Sequence, residues 1–160
     1  MYSGGLYMSN RQRGFEQVRK DARKYDKKGF IPKRATEKSA GYDLKTPVDL
    51  EIPAQGYTTF FTNIKAYMQD DEVLKLYIRS SLGFKYGLML ANNVGIIDAD
   101  YYSNSDNDGN IGIRLYNSSE ETLSFEAGTR ICQGLFAKYL TVDQDQTKKS
   151  REGGIGSTGR

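Results

Sequence analysis

A chain of 160 residues is long enough for one domain with a real core, and 38% hydrophobic residues with 17 scattered glycines suit a turn-rich all-β domain better than a helical one. Histidine is absent and Cys132 is the single cysteine, which excludes the usual zinc ligand sets and Ser-His or Cys-His nucleophile pairs and leaves carboxylates, water and magnesium for any hydrolysis. Twenty acidic residues nearly offset 23 basic ones, so a net charge of +3 attracts polyanions only mildly and direct nucleic-acid binding is not expected.

No apolar run has membrane-spanning length and no signal-peptide pattern is present; a lone cysteine in an apolar run fits a reducing cytoplasm. Residues 1–12 read as a flexible N-terminal extension or a vector-derived remnant, with Met8 a possible alternative start. From Arg13 to Gly29, Phe15, Val18, Ala22 and Tyr25 recur at spacings of three and four, which predicts a short amphipathic helix. The stretch that follows, with Pro32, Gly41 and Pro47, is expected to be irregular or a strand edge. Phe60, Thr62, Ile64, Ala66 and Met68 then share one parity, Leu74, Leu76 and Ile78 another, and Ile111, Ile113 and Leu115 a third. Turn material lies between them at Gln69 to Asp71 and Asp106 to Gly109, a pattern that predicts an antiparallel sandwich or barrel. The last strong run is Arg130 to Leu140, and the polar tail after it ends REGGIGSTGR.

Four segments carry candidate chemistry, each with a plainer alternative. Asp43 beside Gly41 is a possible site carboxylate or a solvated turn residue. Arg79, Ser80 and Ser81 follow a strand and suit a phosphate contact or an ordinary surface turn. In Gly95 to Tyr101, extended backbone would point Asp98 and Asp100 to one face, where a carboxylate beside water can act as a general base; the alternative is an exposed turn. Tyr101 and Tyr102 offer flat rings for a base or sugar, or are half-buried sheet residues. The tail, with Arg151, Ser157 and Thr158 among glycines, is either a phosphate-gripping segment that orders on a ligand or a Gly/Ser linker. It is not a Walker loop, because no Gly-Lys-Ser/Thr follows the glycines.

In this order the segments resemble the five motifs of the trimeric deoxyuridine triphosphatase (dUTPase) family. Ala40 to Leu44 resembles the first, Arg79 to Gly83 the second, Asn92 to Tyr101 the third, Gly128 to Gln133 the fourth and Gly153 to Gly159 the fifth. Arg13 to Glu16 with Pro32 to Thr36 further resembles the phage and Firmicute branch. The resemblance implies a jelly-roll-like β-barrel over residues 13–140 with a mobile, glycine-rich C-terminal arm over 141–160. It implies a homotrimer with shared sites, and Mg2+-dependent hydrolysis of dUTP to dUMP and pyrophosphate in the cytoplasm, the host's if phage-encoded. Asp98 matches the carboxylate that activates water, with Ser80 and Gln133 as its catalytic companions at the phosphates. Arg79, Ser81, Asn92, Gly95, Ile97, Tyr101, Arg151, Ile155, Gly156, Ser157 and Thr158 match substrate contacts. Asn92 and its surroundings read uracil, and Tyr101 lies under the deoxyribose. Asp43 matches an outer-shell residue that holds magnesium-bound water.

Two departures stand out. Ile155 occupies the place of a stacking phenylalanine, which Tyr102 or Phe84 would have to replace, and Arg151 sits one residue closer to it than usual. Residues 103–110 look like an insertion able to alter closure. Two rival readings are a dCTP deaminase of the same fold, which lacks the Asp-x-Asp-Tyr pattern seen here, and a nucleotide-responsive trimer that grips a regulatory protein partner.

Overall fold

The structure, a computed structural model, describes residues 10–156. In chain order the elements are β1 (Gly14–Gln17), β2 (Lys33–Arg34), β3 (Tyr42–Lys45), β4 (Leu50–Ile52), β5 (Tyr57–Phe61), β6 (Ile64–Tyr67) and β7 (Glu72–Ile78). They continue with α1 (Ser80–Tyr86), β8 (Leu88–Leu90), β9 (Gly95–Asp98), β10 (Gly112–Asn117), β11 (Leu123–Phe125) and β12 (Arg130–Lys138). Single 3-10 turns lie at Lys20–Ala22 and Ala99–Tyr101.

All pairings are antiparallel. One sheet runs β2-β3-β12-β7-β9, a second β5-β10-β8, and two pairs, β1-β6 and β11-β4, complete a jelly-roll-type fold. Side chains from both larger sheets meet in one core, with Leu44, Leu74, Leu76, Ile97 and Ile131 from the first against Phe60, Leu88, Leu90, Ile113 and Leu115 from the second. Alternation supplies these faces, as in β8 and β9, where every second residue is buried. Each fully buried Leu or Ile adds roughly 1.5–3 kcal/mol through lost apolar exposure. Among the described residues no helix is long and apolar enough to cross a membrane.

The helix expected between Arg13 and Gly29 does not form. Its first residues are β1, paired with β6, and only Lys20–Ala22 turns helically. The period of Phe15 and Val18 has another cause: Phe15 packs on Tyr42 and Phe136, and Val18 is buried beside Asn63. Asn63 takes over the backbone groups a helix would have paired. Its Nδ2 donates to the Tyr25 and Lys27 carbonyls at 3.0 and 2.9 Å, and its Oδ1 accepts from the Lys24 amide at 2.9 Å. The single-parity run Phe60 to Met68 is likewise two strands, broken where Asn63 turns with φ 56°. Phe60, Thr62, Ile64 and Ala66 are nonetheless all buried.

Candidate active site

β8 and β9 follow one another in sequence but join different sheets, β8 pairing with β10 and β9 with β7. The segment Ala91 to Val94 between them is therefore a crossing, held by the Ala91 amide on the Arg114 carbonyl at 2.9 Å and by a left-handed Asn93, and the chain opens a cavity of about 460 Å³ where the strands part. Gly95 and Gly112 line it. A Cβ on Gly95 would lie 2.9 Å from that of Leu76, and one on Gly112 would lie 2.8 Å from the Phe61 ring, so both glycines let backbone approach where a side chain would intrude. Asn92, Ile97, Asp98 and Tyr101 line the same cavity, as do Arg151, Ile155 and Gly156 from the arm. Eight residues singled out in the sequence thus meet in one pocket.

Asp98 ends β9 and Asp100 lies in the following 3-10 turn, so strand alternation does not bring the two carboxylates together as expected. A guanidinium does. Arg151 donates from Nη2 to Asp98 Oδ2 at 2.7 Å and from Nε to Asp100 Oδ1 at 2.8 Å, with its side chain only 6% exposed. The same turn swings Tyr101 inward, where its ring faces the Arg151 guanidinium at 5.6 Å. The Tyr101 hydroxyl donates to the Asn110 carbonyl and accepts from Asn107 Nδ2, both at 2.9 Å, and burial pushes its pKa up. The phenol is fixed and neutral, an apolar wall with its polar tip tied away.

Asp43, Arg79, Ser80, Ser81 and Gln133 lie elsewhere. Asp43 is buried on β3, where Arg79 Nε sits 3.1 Å from one carboxylate oxygen and Arg130 Nη1 3.4 Å from the other. Gln133 pairs with Asp43 in register, and Ser80 and Ser81 open α1 directly after Arg79. Strand register separates this cluster from the pocket. Asp98 pairs with Val73 at the start of β7, whereas Arg79 follows its end, a run of roughly 20 Å at about 3.3 Å per residue. None of Asp43, Arg79, Ser80, Ser81 and Gln133 lines the pocket beside Asp98.

The dUTPase family model matches residues 27–159. A deoxyuridine 5'-triphosphate nucleotidohydrolase of Lactococcus lactis is 45% identical over 150 residues, 92% of this chain and 97% of its own. The chain belongs to the dUTPase family. An Arabidopsis thaliana protein of the same description is 33% identical over 143 residues, covering 86% and 81% of the two chains. Among solved structures, a Streptococcus mutans dUTPase superposes with a TM-score of 0.70 at 42% identity over 81% of this chain and 98% of that one. The Staphylococcus bacteriophage 80alpha dUTPase, at 21% identity and TM-score 0.67 over 86% and 97%, shares the fold.

Several residues of the pocket carry no signal in the sequence. Leu76, Leu90, Ile96, Ile113 and Arg114 line the pocket, but nothing in a strand's alternation marks which of its residues border a gap between sheets. Arg130 was legible as the arginine of Gly-Thr-Arg, yet only folding puts it on Asp43. The aromatic substitutes considered for Ile155 are not at this pocket. Tyr102 turns the other way, donating to Glu16 at 2.6 Å and packing on Tyr67, and Phe84 is 94% exposed on α1. Ser157 and Thr158 lie outside the described residues. Residues 151–156 of the arm lie against the pocket of their own chain, and the stretch 141–150 leading to them is exposed throughout. For a metal, no group of three or more His, Cys, Asp or Glu gathers among the described residues. Asp43, already between two guanidiniums, fits a carboxylate that orients metal-bound water better than one that cages the ion.

Proposed function

We propose that the chain is a dUTP diphosphatase whose complete site forms only between copies in a homotrimer. It hydrolyses dUTP to dUMP and pyrophosphate, which removes dUTP and supplies the precursor of dTMP. The observation that carries the shared site is the separation along β7: Asp98 and Tyr101 stand at one end, Arg79 and Asp43 at the other. A neighbouring subunit must bring its phosphate-side cluster to this pocket.

Uracil enters between β8 and β9, where backbone groups of Asn92 to Gly95 read its edge and the close-set walls at Gly95 and Ile97 leave no room for a methyl group. Tyr101 packs under the deoxyribose and excludes a 2′-hydroxyl. Asp98 takes the proton of a water whose oxygen attacks the α-phosphorus, and the bond from that phosphorus to the bridging oxygen breaks, releasing pyrophosphate. Asp98 is half exposed, so water reaches it, and Arg151 donates to its Oδ2. Arg79, Ser80, Ser81 and Gln133 from the neighbour hold the phosphates, Ser80 on the α–β bridge, and Arg151 with Gly156, Ser157 and Thr158 completes the charge compensation when the arm closes. Asp43 would orient water on a bound Mg2+, which would supply further neutralisation of the phosphates. The deaminase reading gives way to family membership. The phage enzymes share only the fold with this chain and lend no support to a regulatory protein partner.

Mixed oligomers test the shared site. Asp98→Asn and Arg79→Ala chains, co-expressed with different tags and purified through both, are expected to regain turnover that each variant alone lacks by about 10²–10⁴-fold. Mixed oligomers no more active than either parent would show that each chain's Arg79 serves its own Asp98.

A further inference from the structure

The loop between the Ala99–Tyr101 turn and β10 is rigid by construction. Asn104 accepts from the Asp106 and Asn107 amides at 3.0 and 3.1 Å and donates to the Tyr101 carbonyl at 2.8 Å. Asp108, 1% exposed and left-handed at φ 57°, binds Lys65 Nζ at 3.0 Å and the Arg19 amide at 2.8 Å. Ser105 and Asp106 project from this frame into solvent, and both meet the arm. Asp106 Oδ2 accepts from the Gly154 amide at 2.7 Å, and the Ser105 hydroxyl donates to the Glu152 carbonyl. Gly154 itself is buried, and a Cβ there would come within 3.3 Å of the Asn107 amide nitrogen. Ile155, by contrast, is 73% exposed and has no ring to lay on a base.

We propose that Ser105 and Asp106 are positioning residues that dock the arm on the rim of the pocket, replacing with backbone hydrogen bonds the hold that a stacked aromatic would give. The proposal rests on reading the arm as the lid of the dUTP site. It requires main-chain groups rather than side chains of the arm, so a glycine-rich segment serves: it can lie close to Asn107 and turn its amide to Asp106. A carboxylate on a pre-ordered loop loses little freedom when it accepts that bond, and the charge strengthens it. Arg151 is thereby delivered to the carboxylates of the pocket at a fixed distance along the chain.

Limited trypsin digestion of the full chain reads docking without catalysis, because Arg151 is covered when the arm is docked while Lys149 stays exposed and serves as an internal reference. Ser105→Ala/Asp106→Ala is expected to speed cleavage after Arg151 relative to Lys149, and to lower kcat/KM for dUTP mainly through KM, each by about tenfold. Asp106→Asn, whose amide oxygen still accepts from Gly154, is expected to recover most of both. Asp106 is exposed, so the unfolding midpoint should stay in place. Cleavage and KM unchanged in the double variant would overturn the anchor. A chain ending at Ser150 separates the two readings: full turnover by it would remove the lid and the anchor together, whereas lost turnover with an unaltered double variant would remove only the anchor.

Discussion

Gly41 has no side chain because Gln133 occupies the space one would need. A Cβ at position 41 would lie 2.5 Å from Gln133 Oε1 and 2.9 Å from its Cβ, so the glutamine would have to leave its place beside Asp43. Gly41→Ala should therefore act on the phosphate side, lowering kcat/KM by about ten- to a hundredfold through misplacement of Gln133 while the unfolding temperature moves little. Steady-state kinetics beside a thermal melt checks this, and a large melting shift with unchanged kinetics would contradict it. The single residue is also the scale at which the sequence is most legible. Asp98, Tyr101 and Asn92, which line one pocket, could be named as candidates because the motif that carries them is a local string of neighbours. The partner of Asp98 could not be, since Arg151 is 53 positions away and no periodicity links them.

Among the elements, β1 shows why local pattern misleads. Spacings of three and four in Arg13 to Tyr25 are an amphipathic helix by arithmetic, but the β6 edge offers this segment backbone partners and Asn63 offers its loop more. A short charged helix, marginal alone, has no comparable gain. The strand is also fixed at its start by Arg13, whose Nε donates to both Glu72 oxygens at 3.0 Å. Those bonds hold the Glu72 carboxyl below its ordinary 4.5, against the burial that pushes it up. A carboxyl whose folded value is depressed stabilises fully above its ordinary value and loses that contribution as pH falls through the depressed one. Arg13→Met is thus expected to unfold at a higher pH on acidification, and to show a smaller loss of stability between pH 5 and pH 3, than the unaltered chain. Urea midpoints across that range provide the measurement; parallel curves for the two proteins would sink the assignment.

For the whole molecule, β7 is both an interior strand of the larger sheet, between β12 and β9, and a spacer. It sets Asp98 at one end and Arg79 at the other, so the two halves of the proposed site point to different places on one barrel. If the proposed shared site holds, association is part of catalysis, and turnover per chain should fall on dilution together with the mass measured by light scattering, which is expected near three times that of one chain at high concentration. Full specific activity in a sample of single-chain mass would remove the shared site. The arm fits the same logic. Its approach, 141–150, is exposed and polar, and what orders residues 151–156 is contact with the barrel.

The all-β class, the strand-forming runs and the candidate site residues were legible in the sequence itself, because alternation, turn residues and short motifs are local and survive without knowledge of the fold. Tertiary structure alone decided which of those residues meet. The division of strands between sheets opened the pocket beside Asp98, and the length of β7 kept Arg79 from it. The order of the 103–110 loop put Asp106 under the arm. Each of these is a distance between segments far apart in the chain, fixed by pairing and packing that no local pattern encodes.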